Sequence, residues 1–518
     1  MAKRKRQAVP EVSSAAKPDI SKKVKFNGEK NGKIQPAPKA TASIKADKAS
    51  KLTKVMDKED ISNTPIRSDS PITIQIIAGS YDRILHGTQA TITYPSTSPS
   101  AAEVTFADTF LFTAHTSAIK CVALSPASAP IPGQGQKVML ASGSTDERIN
   151  VYNLSAHPPS TKVSPDAELL STLAKRPIRE NARNRELGTL LHHSSNVTKL
   201  MFPTRSKLLS SSEDSTIAVT RTRDWSLLST IKVPVAKVEG RPSGDTAPLG
   251  GTPSGVNDFA VHPSMKVMIS VSKGERNMRL WNLVTGKKAG VLEFGRDMLQ
   301  EVGEGRHSTG EGRKVVWGSS ESEGDEFAVG FDRDILVFGM DSMVRCRVMS
   351  DTKTKVHEFS YIKLDAETEA TVLAVATEDG RVLFFSTAPE DLDKEQKPDS
   401  KSKLPRAKLV AQIGGKDAGV TGRVKDFKIV QAESAPGVWY IVAASSDGRL
   451  RLWELSQEEL ALKQGQKVKA AGKLLGTYET QNRITCVEAF VMIPRPDGVE
   501  DSEDEPESEE AASEDSDG

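Results

Sequence analysis

One short phrase recurs seven times along the chain. A hairpin that must be repeated to be stable restricts the fold more than any other feature here. The phrase is clearest in "VAASSDGRLRLWELS" at 442–456, where two apolar-rich runs flank an Asp-Gly turn. That is the pattern of a β-hairpin with period-two alternation. Related phrases stand at 78–85 ("AGSYDRIL"), 141–152 ("ASGSTDERINVY"), 210–220 ("SSSEDSTIAVT"), 270–281 ("SVSKGERNMRLW"), 328–338 ("AVGFDRDILVF") and 374–385 ("AVATEDGRVLFF"). An acidic residue sits in each turn: Asp82, Asp146, Asp214, Glu275, Asp332, Asp379 and Asp447. Six residues later five copies carry a ring, namely Tyr152, Trp281, Phe338, Phe385 and Trp453, while Thr88 and Thr220 take that place in the other two. The carboxylate is suited to accept hydrogen bonds from nearby backbone or hydroxyl groups. The ring is suited to pack between neighbouring sheets. One hairpin cannot bury its own faces, but a closed circle of small sheets can.

Upstream of several hairpins lies a second phrase: "FTAHTSAIKCVALSP" at 112–126, "LLHHSSNVTKLMFP" at 190–203, "GTPSGVNDFAVHP" at 251–263 and "GGKDAGVTGRVKDFKI" at 414–429. Each supplies an alternating strand that enters a sheet. His115 and His193 stand four residues before Ile119 and Val197, and both are expected to bond the turn Asp of their own sheet. A last phrase, "GTYETQNRITCVEAFVM" at 476–492, has no hairpin after it, and the first hairpin lacks a full strand pair before it. The strand near 484–491 is therefore expected to join the first hairpin and close the ring, removing free sheet edges. The expected fold is all-β: a seven-bladed propeller over 71–492, with a basic tail at 1–70 and an acidic tail at 493–518. The turn acids are 47 to 68 residues apart. A propeller repeat is about 40–45 residues, so long insertions must leave the blades. They are placed near 155–187, 236–254 and 388–407, and the stretch 286–327 fits more than one register.

These phrases carry a resemblance. The pattern resembles the WD-repeat family, and 71–492 is similar to WD-repeat ribosome-assembly proteins related to the kinase-interacting protein of animals. The matching phrases are "AGSYDRILHG", "TAHTSAIKCVALS" with "SGSTDERINVY", "LLHHSSNVTKLMF" with "LLSSSEDSTIAV", "SVSKGERNMRLWNLVTGK", and "RVKDF" with "VAASSDGRLRLW". The resemblance implies a nucleolar assembly factor of the large (60S) ribosomal subunit, acting on the pre-60S particle with ribosomal proteins and other assembly factors. It also implies, as an alternative, a protein that binds and inhibits a p21-activated protein kinase.

The formal net charge is only +1, yet sixteen Lys and Arg precede residue 59 and eleven carboxylates lie between Glu500 and Asp517. Segments of this composition cannot readily bury a core. Lys3, Arg4, Lys5 and Arg6, with Lys22, Lys23 and Lys25, resemble nuclear import signals, which suits a nuclear and nucleolar location. Ser502, Ser508, Ser513 and Ser516 stand beside carboxylates, a setting attractive to an acidophilic kinase. In the first insertion Arg176, Arg179, Arg183 and Arg185 are candidate contacts for rRNA phosphate or an acidic protein patch. The basic segments lack interleaved aromatics, so base-specific recognition is not expected.

Cys121, Cys346 and Cys486 are widely spaced and offer neither a disulfide framework nor a paired-cysteine metal signature. No apolar run spans a bilayer, and the N-terminus lacks the apolar core of a signal peptide. A soluble protein of a reducing compartment is expected. No full phosphate-loop, "HExxH" or "GxSxG" pattern occurs. The expected class is a non-enzymatic scaffold with no cofactor or metal, monomeric within a large assembly.

Overall fold

Each hairpin phrase lies at the centre of a blade of four antiparallel strands, to which one blade adds a short parallel fifth. The computed structural model describes residues 71–95, 102–159, 165–174, 176–181, 183–235, 254–304, 308–320, 324–364, 371–393, 404–460 and 469–495. The import-type lysines and arginines, the basic tail, the acidic tail beyond Arg495 and nearly all of the 236–254 insertion lie outside them.

Seven sheets follow one another as blades. Blade 1 takes its innermost strand, Ile484–Val491, from the far end of the propeller, followed outward by Ile72–Ser80, Ile84–Thr93 and Glu103–Thr113. Blade 2 runs Ile119–Leu124, Lys137–Ser144, Ile149–Ser155 and Arg185–Leu190. Blade 3 runs Val197–Thr204, Lys207–Ser212, Thr216–Arg221 and Leu227–Lys232. Blade 4 runs Val256–Val261, Val267–Ser272, Asn277–Asn282 and Lys287–Glu293. Blade 5 runs Lys314–Ser320, Gly324–Gly330, Asp334–Gly339 and Val344–Met349, which settles the ambiguous register. Blade 6 runs Val356–Lys363, Thr371–Thr377, Arg381–Ser386 and Lys408–Gly414. Blade 7 runs Val424–Gln431, Val438–Ser445, Arg449–Ser456 and Lys473–Glu479.

The innermost strands neighbour one another in cyclic order, so the ring is closed. Closure is the antiparallel pairing of Ile74 with Val491 through Ser80 with Ile484. Apolar seams fill the space between blades. Trp439 and Trp453 lie between blades 6 and 7, Tyr440 and Leu452 between blades 7 and 1, and Phe327 stacks on Phe338 at 5.1 Å in the seam of blades 4 and 5.

The hairpin tips explain where an acid belongs. In five blades the residue after the acid takes a left-handed conformation: Arg83 (φ 71), Glu147 (φ 69), Ser215 (φ 63), Gly380 (φ 85) and Gly448 (φ 80). A type I turn followed by a left-handed residue matches the strand twist. Two blades depart. In blade 4 the left-handed residue is Gly274 (φ 69), which precedes Glu275, so that acid sits past the turn position. In blade 5 Arg333 follows Asp332 without a left-handed φ.

Antiparallel pairing sends all acid turns, and all connections between blades, to one end of the strands. This is called here the turn face. The other connections reach the opposite, far face. The insertions after Ser155 and Ser386 both leave at the far face, whereas 236–254 connects blades on the turn face.

The two far-face insertions do not simply project. Pro177–Arg179 runs parallel to the outer strand of blade 1, with Asp108 N–H donating to Pro177 O at 2.9 Å and Arg179 N–H to Asp108 O at 2.7 Å. Pro405–Ala407 does the same to blade 5, through Arg347 N–H to Pro405 O and Ala407 N–H to Arg347 O, each 2.9 Å. Lys469–Ala470 repeats the device on the outer strand of blade 6. Each is a strap from one blade that covers the outer edge of the blade before it. Uncovered edges recruit other strands.

Ending the chain after Glu479 removes the closing strand. The product is expected to lose its cooperative thermal transition and to aggregate, measured by circular dichroism melting and size-exclusion chromatography.

Candidate functional site

The turn carboxylates are the first candidates. His115 Nδ1 lies 3.2 Å from both oxygens of Asp146, and its Nε2 lies 2.8 Å from Ser142 Oγ. His193 Nδ1 lies 3.1 Å from Asp214 Oδ2, and its Nε2 lies 2.7 Å from Ser210 Oγ. An acid, a histidine and a serine in line are also the parts of a hydrolytic triad. Here Ser142 is 0% and Ser210 1% exposed, so no substrate reaches either hydroxyl. Each triad ties the loop that enters a blade to the hairpin of that same blade. Burial pushes the Asp214 carboxyl up, but bonds from His193, Thr216 and Ser194 outweigh it and hold the pKa at about 2. Asp146 is lowered in the same way, with burial opposed by Thr116, His115 and Arg148.

Four of the five blades without the histidine use a cation instead. Arg279 forks onto Glu275, Arg451 Nη2 lies 3.1 Å from Asp447 and Arg381 Nε lies 2.9 Å from Asp379. Asp332 lies between Arg313 at 3.0 Å and Lys355 at 3.1 Å. Asp82 accepts the N–H of Arg483 at 3.0 Å, a bond across the closing seam. These cations escaped sequence reasoning, although "ERNMRLW" and "DGRLRLW" each place an arginine four residues after the acid. Residues i and i+4 of a strand share one face. The ring residues Tyr152, Trp281, Phe338, Phe385 and Trp453 are all buried, and Trp281 Nε1–H donates to Ser270 Oγ at 2.8 Å.

Charges also line the axis. Lys199 pairs with Asp258 at 2.8 Å, Lys314 with Glu358 at 2.5 Å and Lys428 with Glu488 at 2.8 Å. Each pair bridges two neighbouring blades. Asp258 also accepts Val315 N–H at 3.0 Å, and Asp426 accepts Val487 N–H on the closing strand at 2.8 Å. Burial and then the neighbouring Glu358 charge push Asp426 up to about 7. Burial pushes the Cys121 thiol up to about 12, which suits a packed residue and not a nucleophile. Among the described residues no group of three or more His, Cys, Asp or Glu could hold a metal ion. No described helix is long and apolar enough to cross a membrane.

The basic insertion is the third candidate, and the four arginines named from sequence part company there. Arg176 Nε lies 2.7 Å from Asp108 Oδ2. Asp108 is buried, and it also meets His86 Nε2 at 2.7 Å and the Tyr478 hydroxyl of blade 7. Arg176 therefore fastens the strap at the junction of blades 7, 1 and 2. Arg183 packs against Gly135, while Arg179 and Arg185 are exposed.

Comparison with known proteins fits this architecture. The WD domain, G-beta repeat family matches residues 107–153 and 184–219. Protein MAK11 of Saccharomyces cerevisiae is 28% identical over 407 residues, covering 74% of this chain and 78% of that protein. A p21-activated protein kinase-interacting protein 1-like protein of Danio rerio is 23% identical, covering 80% of each chain. Its counterpart in Xenopus laevis is 23% identical, covering 83% of this chain and 84% of that one. Seven sheets closed about one axis, with buried turn triads, define a WD-repeat β-propeller protein. Within that class, the chain is similar along most of its length to MAK11 and to p21-activated protein kinase-interacting proteins.

Three substitutions test the site. D214A is expected to destabilise the protein by about 2 kcal/mol at pH 7, since a carboxylate pKa lowered from 3.8 to about 2 contributes about 1.4 kcal/mol per unit. The contribution is present above pH 4 and is lost as pH falls through 2, so denaturant titrations of D214A and the parent should converge in acid. R176A leaves Asp108 buried without its guanidinium and should cost about 2 kcal/mol, whereas R179A should stay within about 0.5 kcal/mol. Urea unfolding of the two variants checks the contrast.

Proposed function

We propose that the protein is a non-catalytic scaffold in nucleolar assembly and maturation of the 60S ribosomal subunit. It supports rRNA processing by holding ribosomal proteins, other assembly factors and rRNA in a pre-60S particle. The observation that carries the reading is the extent of the likeness. Relatives named MAK11 and p21-activated protein kinase-interacting protein align along most of the propeller, over blades whose histidines and turn acids are already engaged in structure. Closure satisfies the inner edges of the ring within the chain itself, so its rims and tails remain for recognition. On this reading Lys3 to Arg6 and Lys22 to Lys25 direct nuclear entry. Arg179 and Arg185, the exposed arginines of the insertion, would meet phosphate, and the protein would work as one copy per particle.

A second reading has its own support. Relatives in Danio rerio and Xenopus laevis carry names that state interaction with a p21-activated protein kinase. Here the platform would cover a regulatory segment of such a kinase.

Affinity purification with protein and RNA identification separates the two. The scaffold reading expects co-sedimentation with pre-60S particles and crosslinks to their rRNA or proteins. Depletion should lower mature large subunits first. Recovery with the kinase alone, together with altered kinase activity in the absence of RNA, would sink the scaffold reading.

A further inference from the structure

We propose that the carboxylate-rich C-terminal segment, residues 500–517, docks in cis on a basic stretch that runs from the strap on the outer edge of blade 1 across the far face of blades 2 and 3, where it competes with nucleic-acid phosphate. The proposal deepens the RNA-contact reading above and rests on it for the natural competitor.

The exit of the chain points to this surface. After the closing strand, Met492 N–H donates to Thr73 O at 2.8 Å. Ile493 N–H then donates to Ala156 O at 2.8 Å, and Ile493 O accepts His157 Nδ1–H at 3.0 Å. Arg495 Nη2 donates to Pro158 O at 3.1 Å. The chain is thus handed from blade 1 onto the root of the basic insertion of blade 2.

Contacts continue from there toward blade 3. Gln136 N–H donates to His157 Nε2 at 2.8 Å, and Gly135 lies against the guanidinium of Arg183. Arg205 of blade 3 donates to Lys137 O at 2.8 Å and Pro126 O at 3.0 Å of blade 2. The next turn, Thr222 to Trp225, is fastened by Thr222 Oγ1–H to Arg205 O at 2.7 Å. Along this path Arg179, Arg185, Lys207 and Arg223 are exposed. The acids beside them are Glu180, Glu186 and Asp224, and Asp224 faces Arg221 at 3.5 Å.

Length and chemistry fit the same occupant. Twenty-three residues follow Arg495, from 496 to 518. At about 3.3 Å per residue they reach roughly 75 Å when extended, ample to cross two blades. Eleven carboxylates lie between Glu500 and Asp517, with Val499 the last large apolar residue. The contact is therefore electrostatic, tethered and weakened by salt.

The test uses a fluorescent oligouridylate titrated by anisotropy at low salt. The proteins are the full chain, a chain ended at Arg495, and a chain whose Asp and Glu from 500 to 517 are replaced by Asn and Gln. Each is measured with and without R179Q, R185Q, K207Q and R223Q. Loss of the tail or of its charge should tighten binding about five-fold, and the combined surface variant should abolish that gain. No gain, or a gain undiminished in the surface variant, overturns the docking. Carbodiimide crosslinking of the full chain gives a second readout, in which tail peptides should join to Lys207. Crosslinks to Lys207 without oligonucleotide binding by any form would leave the docking standing and sink the RNA reading. Oligonucleotide binding with neither gain nor crosslink would do the reverse.

Discussion

The pairing of Ile484–Val491 with Ile72–Ser80 is the contact on which the other features depend. A four-stranded blade has two edges and two apolar faces, and it stands alone poorly. Packing blades side by side buries the faces but leaves a seam wherever the row stops. Joining the last strand of the chain to the first hairpin removes that seam, because neither terminal segment completes a sheet alone. The junction is reinforced from several directions. Asp426 of blade 7 accepts Val487 N–H of the closing strand, Asp82 accepts Arg483 N–H, and Thr485 Oγ1–H donates to Ile119 O at 2.7 Å in blade 2. Without the ring, the buried carboxylates at the axis would face water from one side and lose the partners that justify their burial.

Closure protects inner edges only. The outer strands of the blades are edges too, and among the described residues three of them are covered by straps from the following blade. The geometry explains a shared feature of two straps. Proline lacks an N–H but keeps its carbonyl, so Pro177 and Pro405 each accept a bond from the neighbouring edge without presenting a donor of their own. At blade 1 the strap is further fixed by a buried carboxylate, Asp108, shared among Arg176, His86 and Tyr478. One acid thus ties together the first blade, the last blade and the largest described insertion.

How much of this was legible beforehand varies with the range of the interaction. The hairpins, their acids and the closing strand were readable because alternation and turn chemistry are local, and a missing strand at each end implies a mate. Five turns keep a common geometry, so their acids align by spacing. Glu275 and Asp332 broke that register because blade 4 places its left-handed glycine before the acid and blade 5 has none. The arginines that replace the histidine were visible as a repeated spacing, but a lone arginine on a strand carries no mark of its partner. The straps were hidden for a stronger reason. "KRPIR" and "KLPRA" read as polar loop, and only the free edge of a blade encoded elsewhere gives them structure. Arg176 looked like its neighbours for the same reason: Asp108 is distant in sequence and adjacent in space.

That difference separates structural charge from charge able to recognise a partner. A guanidinium facing a buried carboxylate cannot leave without stranding that carboxylate, so Arg176, Arg279 and Arg451 are held by their own fold. The same holds for the three lysines at the axis, each paired across a blade boundary. Exposed cations such as Arg179 and Arg185 face no buried acid, and an exchange of water for phosphate there costs little. A propeller of near-zero net charge can therefore present strong local fields. The buried charges at the axis are paired across blade boundaries, while cations such as Arg179, Arg185, Lys207 and Arg223 stand exposed on the rim.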